Sequence, residues 1–244
     1  MVSKEFVRIY ARICGDGCLS GRYIRYSNKN LDLLGEFERD MRKEFGEVTL
    51  TKGIQNSGTP FLQVQLKPVV KVFSDFGSFL SDKIKVPGFI IKGNKILKKE
   101  FIRTFFDDEG SPNLRLYNNT KEWKRSITVS SNSKQFLIGI KVLLRDFGIG
   151  TNRIIRNSKN IERDKSYNLT ISGRENFMLF QKNIGFKSNL KNREVEFILN
   201  SYGNTYHRNR KEFNDLIFKL KNLKKDKRKF YKQNFREIFI DGRP

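Results

Sequence analysis

The sequence predicts an α+β protein made of two similar halves followed by a basic helical extension. Three observations carry this. The order helix, two strands, helix, two strands, helix can be traced twice along the 244 residues. Each tracing starts on an apolar-rich helix that closes on an acid and a glycine. The two tracings are also punctuated by the same residue types at matching places.

The first unit opens with a helix over residues 4–16, ending in Asp16-Gly17, and the second with a helix over 98–109, ending in Glu109-Gly110. An extended segment follows at 22–27 and again at 125–130. Ser27-Asn28 and Ser131-Asn132 then read as N-caps of helices that stop at Phe45-Gly46 and Phe147-Gly148, where glycine suits the left-handed position. Strands are expected at 48–54 and 61–66, then at 151–156 and 167–171. In Leu62-Gln63-Val64-Gln65-Leu66 and Tyr167-Asn168-Leu169-Thr170-Ile171, apolar residues take every second place, so one face packs on helices and the other is polar. A helix near 68–76 and another near 174–183 close the two units. Each is followed by a glycine with a lysine six positions on, Gly77 to Lys83 and Gly185 to Lys191. The halves differ between the acid and the Ser-Asn pair. That spacing is 11 residues from Asp16 to Ser27 and 22 from Glu109 to Ser131, so the second half has room for a longer hairpin over 113–130 with Trp123 near its tip. The expected organisation is a first half over 1–95, a second over 96–202 and a basic helical extension over 203–244.

Lys and Arg number 49 against 26 Asp and Glu, a formal charge of +23, which favours a polyanionic partner, nucleic acid before a membrane surface. A hydrophobic content of 37% is enough to bury a core and argues against a disordered basic tail. No run approaches the ~18 apolar residues of a membrane span, and the first residues lack a signal-peptide core, so a soluble, intracellular, non-secreted protein is expected. Only two cysteines occur, Cys14 and Cys18, with one histidine, His207. That count excludes a Cys/His zinc site and a disulfide framework, and gives no support to proteolysis through a histidine base. Read as one helical turn apart, the two cysteines are spaced too widely for a bridge and are taken as packing residues.

The two acid-ended helices carry the chemistry. Ala11, the only alanine in the chain, and Gly15 lie four apart on one face and allow another helix to approach closely; Thr104 holds the matching place in the second helix. The C-terminal end of a helix dipole is partly negative, so a carboxylate there needs a cation. Two such ends side by side would repel, which makes a divalent metal a natural resident. The plain alternative is that Asp-Gly and Glu-Gly merely stop two helices; the pairing inside a duplicated frame speaks against it.

Residues 9–17 and 102–110 resemble the nine-residue motif of the LAGLIDADG homing endonucleases in their single-chain, two-motif form. The Ser-Asn helix starts, the Phe-Gly stops, Val86-Pro87 before the second motif helix, and Gly185-Phe186 with Lys191 downstream are similar to the family as well, over residues 4–200. The resemblance implies two pseudo-symmetric αββαββα halves, each with a curved antiparallel sheet laid against the DNA major groove, packed through the motif helices. It implies site-specific double-strand cleavage, with Asp16 and Glu109 as catalytic acids. Asp16 and Glu109, with Gly15 and Asp108 beside them, would hold Mg²⁺, a site Mn²⁺ or Ca²⁺ could also occupy. It places Lys83 and Lys191 near the scissile phosphates, where a lysine stabilises charge or orients water. Two residues depart from the family pattern: Asp108 stands where a small residue is usual and Arg12 where an apolar one is usual.

The expected partner is double-stranded DNA with a long, partly asymmetric target, bound by a monomer that needs neither membrane nor protein partner. Arg25, Gln63, Gln65, Arg115, Tyr117, Thr128, Arg153, Asn168 and Thr170 are the candidates for base contact, Arg favouring guanine and Gln or Asn adenine. Each could equally meet a phosphate or solvent. In the extension, Phe213, Leu216, Ile217, Leu220 and Leu223 recur at helical spacing beside a lysine-rich run, consistent with a helix docked on the second half or with added grip on phosphates. A non-cleaving intron-RNA maturase or DNA-binding regulator on the same scaffold is the competing reading, and a basic ribosome-associated protein leaves the duplication unexplained.

Overall fold

The structure is a computed structural model that describes residues 2–116, 123–157 and 166–203, together with positions 215, 218, 219, 222 and 225. Its elements run α1 (Lys4–Cys14), β1 (Gly17–Leu19), β2 (Ile24–Ser27), α2 (Leu31–Phe45), β3 (Leu50–Ile54), β4 (Pro60–Val64) and α3 (Lys67–Ser74). A short α4 (Gly88–Ile91) leads to α5 (Lys95–Glu109), β5 (Ser111–Leu116), β6 (Trp123–Ser131), α6 (Lys134–Arg145), β7 (Ile155–Arg156), β8 (Tyr167–Ser172), α7 (Arg174–Asn183) and α8 (Asn189–Asn200). The two antiparallel sheets have the same strand order, β1-β2-β4-β3 and β5-β6-β8-β7, so the halves repeat one topology, as the duplicated pattern predicts.

One face of each sheet is apolar and packs on helices. Ile24, Tyr26, Leu62 and Val64 do this in the first half and Ile127, Val129, Leu169 and Ile171 in the second, all nearly inaccessible. The halves join through α1 and α5, whose Ile9, Ile13, Ile102 and Phe105 are sealed from water. Aromatic rings bridge the junction: Tyr10 lies 6.4 Å from Phe101 between ring centroids and 5.8 Å from Phe89. Burying a side chain of this size contributes about 1.5–3 kcal/mol, so a seam of several holds the halves as one body.

Local departures from the sequence pattern have identifiable causes. Ser27 and Ser131 still belong to strands, paired with Phe61 and Tyr167, so the caps fall later, at Asn30 and Ser133, whose side chains accept from the N–H of Asp32 and Phe136. Gly46 and Gly148 do sit after α2 and α6 with φ of 75° and 73°. The strand expected at 61–66 ends at Val64, because Pro68 in the first turn of α3 draws the chain into a helix; Gln65 is thus outside the sheet. The strand expected at 151–156 shrinks to two residues, which leaves Arg153 exposed in an irregular segment. α1 ends at Cys14, not at 16. Cys18 is on β1, not on the helix, and both cysteines are free thiols. The helix α8 was not expected, although Ser188 caps it and Val195 and Ile198 bury one side. The predicted hairpin forms from β5 and β6, with Trp123 opening β6 opposite Leu116. Tyr117, His207 and, apart from the five positions named, the extension lie outside the described residues.

Candidate functional site

The chain leaves the helical path at Gly15, and the reason is spatial. A Cβ on Gly15 would come 2.9 Å from the Cβ and Oδ2 of Asp108, so only glycine lets the end of α1 meet the end of α5 here. Past this contact, Asp16 and Glu109 emerge at neighbouring helix ends. Burial raises the Glu109 carboxyl from its ordinary value to about 7; the charge of Asp16 adds to the rise and Lys191 opposes it. Burial also raises Asp16, with Lys191 and Arg12 pulling the other way. Glu109 lines a cleft of about 220 Å³ with Gly15, Gly17, Ser130, Ser131 and Asn132.

The Asp16 carboxylate is held by a residue that reads from sequence as a helix cap. The Asn28 amide donates to Asp16 Oδ2 at 2.8 Å, and also lies 3.1 Å from the Tyr26 hydroxyl and 3.4 Å from Asp108 Oδ1. Its counterpart Asn132 donates instead to the Ser81 hydroxyl at 3.4 Å. The two acids are therefore supported differently.

Arg12 and Asp108, the two departures from the family pattern, face each other. Arg12 Nη1 donates to Asp108 Oδ1 at 3.3 Å and to the Tyr26 hydroxyl at 2.7 Å, while Nη2 pairs with Glu36. The Tyr26 hydroxyl in turn donates to Asp108 Oδ1 at 2.6 Å. Burial pushes the Asp108 carboxyl up, the Arg12 guanidinium opposes this, and Asp108 Oδ2 is buried without a hydrogen-bond partner. Further ion pairs tie the halves together: Arg8 with Glu100, and Lys187 with Glu36.

Of the two expected lysines, Lys191 is at the site. Its ammonium donates to the carbonyls of Phe106, Asp107 and Asp108, capping α5 where the dipole is negative. Lys83 is exposed in the turn between Ser81 and Ile84, two residues that line the cleft. Asp107, which sequence reasoning passed over, is buried and accepts from the N–H groups of Lys187 and Ser188, fixing the start of α8 to the end of α5. Its signal was present in the run Asp107-Asp108-Glu109: three successive acids on a helix point in different directions, so at least one needs a structural partner.

Among the described residues, no group of three or more His, Cys, Asp or Glu side chains is arranged to hold a metal. Two carboxylates fit a hard divalent ion that keeps its waters and completes its shell with carbonyl and phosphate oxygens, as Mg²⁺ does. Burial raises both Asp16 and Glu109, and the charge of Asp16 adds to the rise at Glu109, a cost of ionisation that a bound cation offsets.

Both sheets carry a polar second face. In the second half Thr128 and Thr170 are opposite each other with hydroxyls 3.4 Å apart, and Ser130 donates to Asn168 Oδ1 at 2.7 Å. Arg115 is exposed on β5. In the first half Arg25 and Gln63 are opposite each other and bonded, and Gln63 is largely covered. Gln65 and Arg153 are exposed but off the strands. Arg125 turns to the other side, where it bonds Ser201 and lies over Tyr202.

Residues 97–185 match the model of the LAGLIDADG-like domain. Those residues form a LAGLIDADG-like domain. The LAGLIDADG-like domain so matched includes Glu109 and β5 to β8; Asp16 lies in the preceding half of the same topology. Solved structures agree on the fold. I-DmoI in complex with DNA and Mn is 16% identical, with a TM-score of 0.55 over 76% of this chain and 98% of that one. The homing endonuclease I-WcaI bound to its DNA recognition sequence is 16% identical, with a TM-score of 0.53 over 82% and 87%. The N-terminal LAGLIDADG domain of DUF199/WhiA is 17% identical, with a TM-score of 0.50 over 81% and 88%. Curated relatives come from Methanocaldococcus jannaschii. A probable translation initiation factor IF-2 is 33% identical over 76% of this chain, and a glutamine–fructose-6-phosphate aminotransferase is 28% identical over 81%. The chain spans only 15% and 18% of those proteins. No helix among the described residues is long and apolar enough to cross a membrane.

Proposed function

We propose that the chain is a site-specific DNA endonuclease that hydrolyses one phosphodiester on each strand with divalent metal, acting as a monomer on a long duplex target. The observation that carries this reading is the meeting of Asp16 and Glu109 at the abutting ends of α1 and α5, where the charge of one raises the pKa of the other. Two acids at one helix junction, beneath two polar sheet faces, suit one cut per strand. The charge of +23 supports a polyanionic substrate, and of the proteins that share the fold, I-DmoI is in complex with DNA and Mn and I-WcaI is bound to its DNA recognition sequence.

A bound divalent ion would polarise the phosphate and lower the pKa of an attacking water. Asp16 and Glu109 would hold it, with Gly15 contributing its carbonyl. Asp108 has a different part: its carboxylate is engaged by Arg12 and Tyr26 and steadies the junction. Asn28 keeps Asp16 oriented. Lys191, on α8 with its ammonium over the end of α5, opposes the rise in the pKa of both acids and so favours the ionised forms that would bind metal. Lys83, exposed between Ser81 and Ile84 beside the cleft, would meet a phosphate. The Thr128, Asn168, Thr170 and Arg115 face and the Arg25 face would lie against the major groove, which admits a β-ribbon; Gln65 and Arg153, exposed outside the strands, would meet backbone phosphates instead.

The test uses a plasmid bearing the sequence made by joining the DNA on either side of this coding segment. Linearisation that requires Mg²⁺ and disappears in Asp16→Asn and Glu109→Gln is the expected result. A double variant cutting at the parental rate sinks the reading. The engagement of Lys191 by three carbonyls favours a second reading, a DNA- or intron-RNA-binding protein that does not cut. Tight, metal-independent binding without any strand scission would establish that one.

A further inference from the structure

We propose that Arg25 is a fixed guanine reader, held by Phe61, Tyr23 and Gln63, and that it imposes one G·C pair on the part of the target facing the first sheet. This rests on the DNA-binding reading above and specifies which base the first half recognises.

Arg25 is in the middle of β2, between the buried Ile24 and Tyr26, so its side chain leaves the face opposite the core. The strand register aligns Cys18, Arg25, Gln63 and Thr51 in one row across the sheet, and β2 and β4 are its two inner strands. The major groove admits a β-ribbon and presents base edges to it, and Arg25 projects from one of the two inner strands, away from the edges of the sheet.

Its guanidinium is already fixed in orientation. The central carbon lies 4.3 Å from the centre of the Phe61 ring and 4.9 Å from that of Tyr23, and both Nε and Nη2 donate to Gln63 Oε1, at 2.8 and 2.6 Å. A guanidinium has five N–H donors in a planar fork. Gln63 takes two, which leaves the outer edge formed by Nη1 and the second hydrogen of Nη2. That edge presents two parallel donors, the arrangement that matches O6 and N7 of guanine. The ion pairs among the described residues involve other cations, so no carboxylate neutralises Arg25. Because the plane is set before DNA arrives, little side-chain entropy is lost on contact.

Gly53 explains why the ring can lie there. A Cβ on Gly53 would fall 2.5 Å from the tip of the Phe61 ring, so Phe61 covers β3 at the one position lacking a side chain. Alanine at 53 would lift the ring, and with it the platform under Arg25, while leaving the strand pairing in place. The facing surface of the second half is built instead from short hydroxyl and amide groups bonded to one another, Thr128 with Thr170 and Ser130 with Asn168.

The experiment selects bound duplexes from a randomised library, with chelator present so that nothing is cut, for the parent, Arg25→Ala and Gly53→Ala. The thermal midpoint of each is measured in parallel. The parent should enrich one invariant G·C pair. In Arg25→Ala, preference at that position should fall about tenfold or more with the other positions unchanged, and Gly53→Ala, folded like the parent, should lose part of the same preference. Uniform weakening across all sequences with a smaller salt slope would show a phosphate contact and overturn the proposal. An unchanged consensus in both variants would overturn it too. No enrichment by the parent would overturn both this proposal and the site-specific reading beneath it.

Discussion

Arg12 and Asp108 meet across the junction of the two motif helices, 3.3 Å apart, with no part of either side chain exposed. Each replaces a residue type the motif usually holds, and Arg12 is the cation that Asp108 shares with Glu36. A buried charge left alone costs about 3–5 kcal/mol, whereas a buried pair replaced as a whole by apolar groups is often neutral or better. Arg12→Leu strips both Asp108 and Glu36 of their cation and should lower the unfolding free energy by about 3–5 kcal/mol; Asp108→Ala, which leaves Arg12 paired with Glu36, should cost less, and the double variant less than the sum. Denaturant titration of the four proteins measures the coupling. Additive losses would mean that the two residues act separately.

That pairing also marks the limit of what the sequence conveys. The repeat, the helix ends at Asp16 and Glu109, and the alternation in β4 and β8 depend on neighbours within a few positions, so local pattern reveals them. Arg12 and Asp108 are 96 positions apart, and each alone looks like a defect. Asn28 was misread for a related reason: an asparagine before an apolar helix has the signature of a cap, but α2 begins only at Leu31, capped by Asn30. The amide is consequently free to reach Asp16. Arg125 shows the same limit on a strand, where alternation assigns a face but not a long side chain's destination, here Ser201.

Lys191 serves two roles that substitution can separate. Its ammonium caps the last carbonyls of α5 and also lowers the pKa of Asp16 and Glu109. Lys191→Met should cost about 1–2 kcal/mol in stability, the scale of a charged bond at a helix end. It should also slow cleavage without a matching loss of DNA affinity. Lys191→Arg, which keeps the charge, should recover more of the stability than of the rate, because the fork is shaped differently from an ammonium. Full activity in Lys191→Met would place this lysine outside the chemistry.

The unequal support of the two acids should appear as unequal cutting of the two strands. Asn28 bonds Asp16 directly, whereas Asn132 bonds Ser81. Residues that orient a metal-binding carboxylate change activity by about 10–100-fold when removed. Asn28→Ala should therefore slow nicking of one strand by at least about tenfold, and Asn132→Ala should affect either strand less. Duplexes labelled separately on each strand report this. Equal slowing of both strands by Asn28→Ala would mean that Asn28 supports the junction as a whole.

The metal-free protein should become less stable as pH rises towards neutrality, because of Glu109. Its carboxyl titrates at about 7 in the folded chain, against an ordinary value of 4.5, since burial and the charge of Asp16 both oppose ionisation. A group whose folded pKa is raised binds its proton more tightly when folded. The penalty is thus absent below about pH 4.5, grows between 4.5 and 7, and is constant above that. A shift of this size corresponds to on the order of 3 kcal/mol. Glu109→Gln removes the penalty, so with chelator present the variant should match the parent near pH 4 and exceed it near pH 8. Adding Mg²⁺ at pH 8 should then close the gap by stabilising the parent alone, because an ion held by two carboxylates offsets the repulsion that ionisation creates. Unfolding titrations across this pH range, with and without metal, test both halves of the argument. A gap that is widest at low pH, or that Mg²⁺ leaves unchanged, would show that Asp16 and Glu109 do not share a cation site.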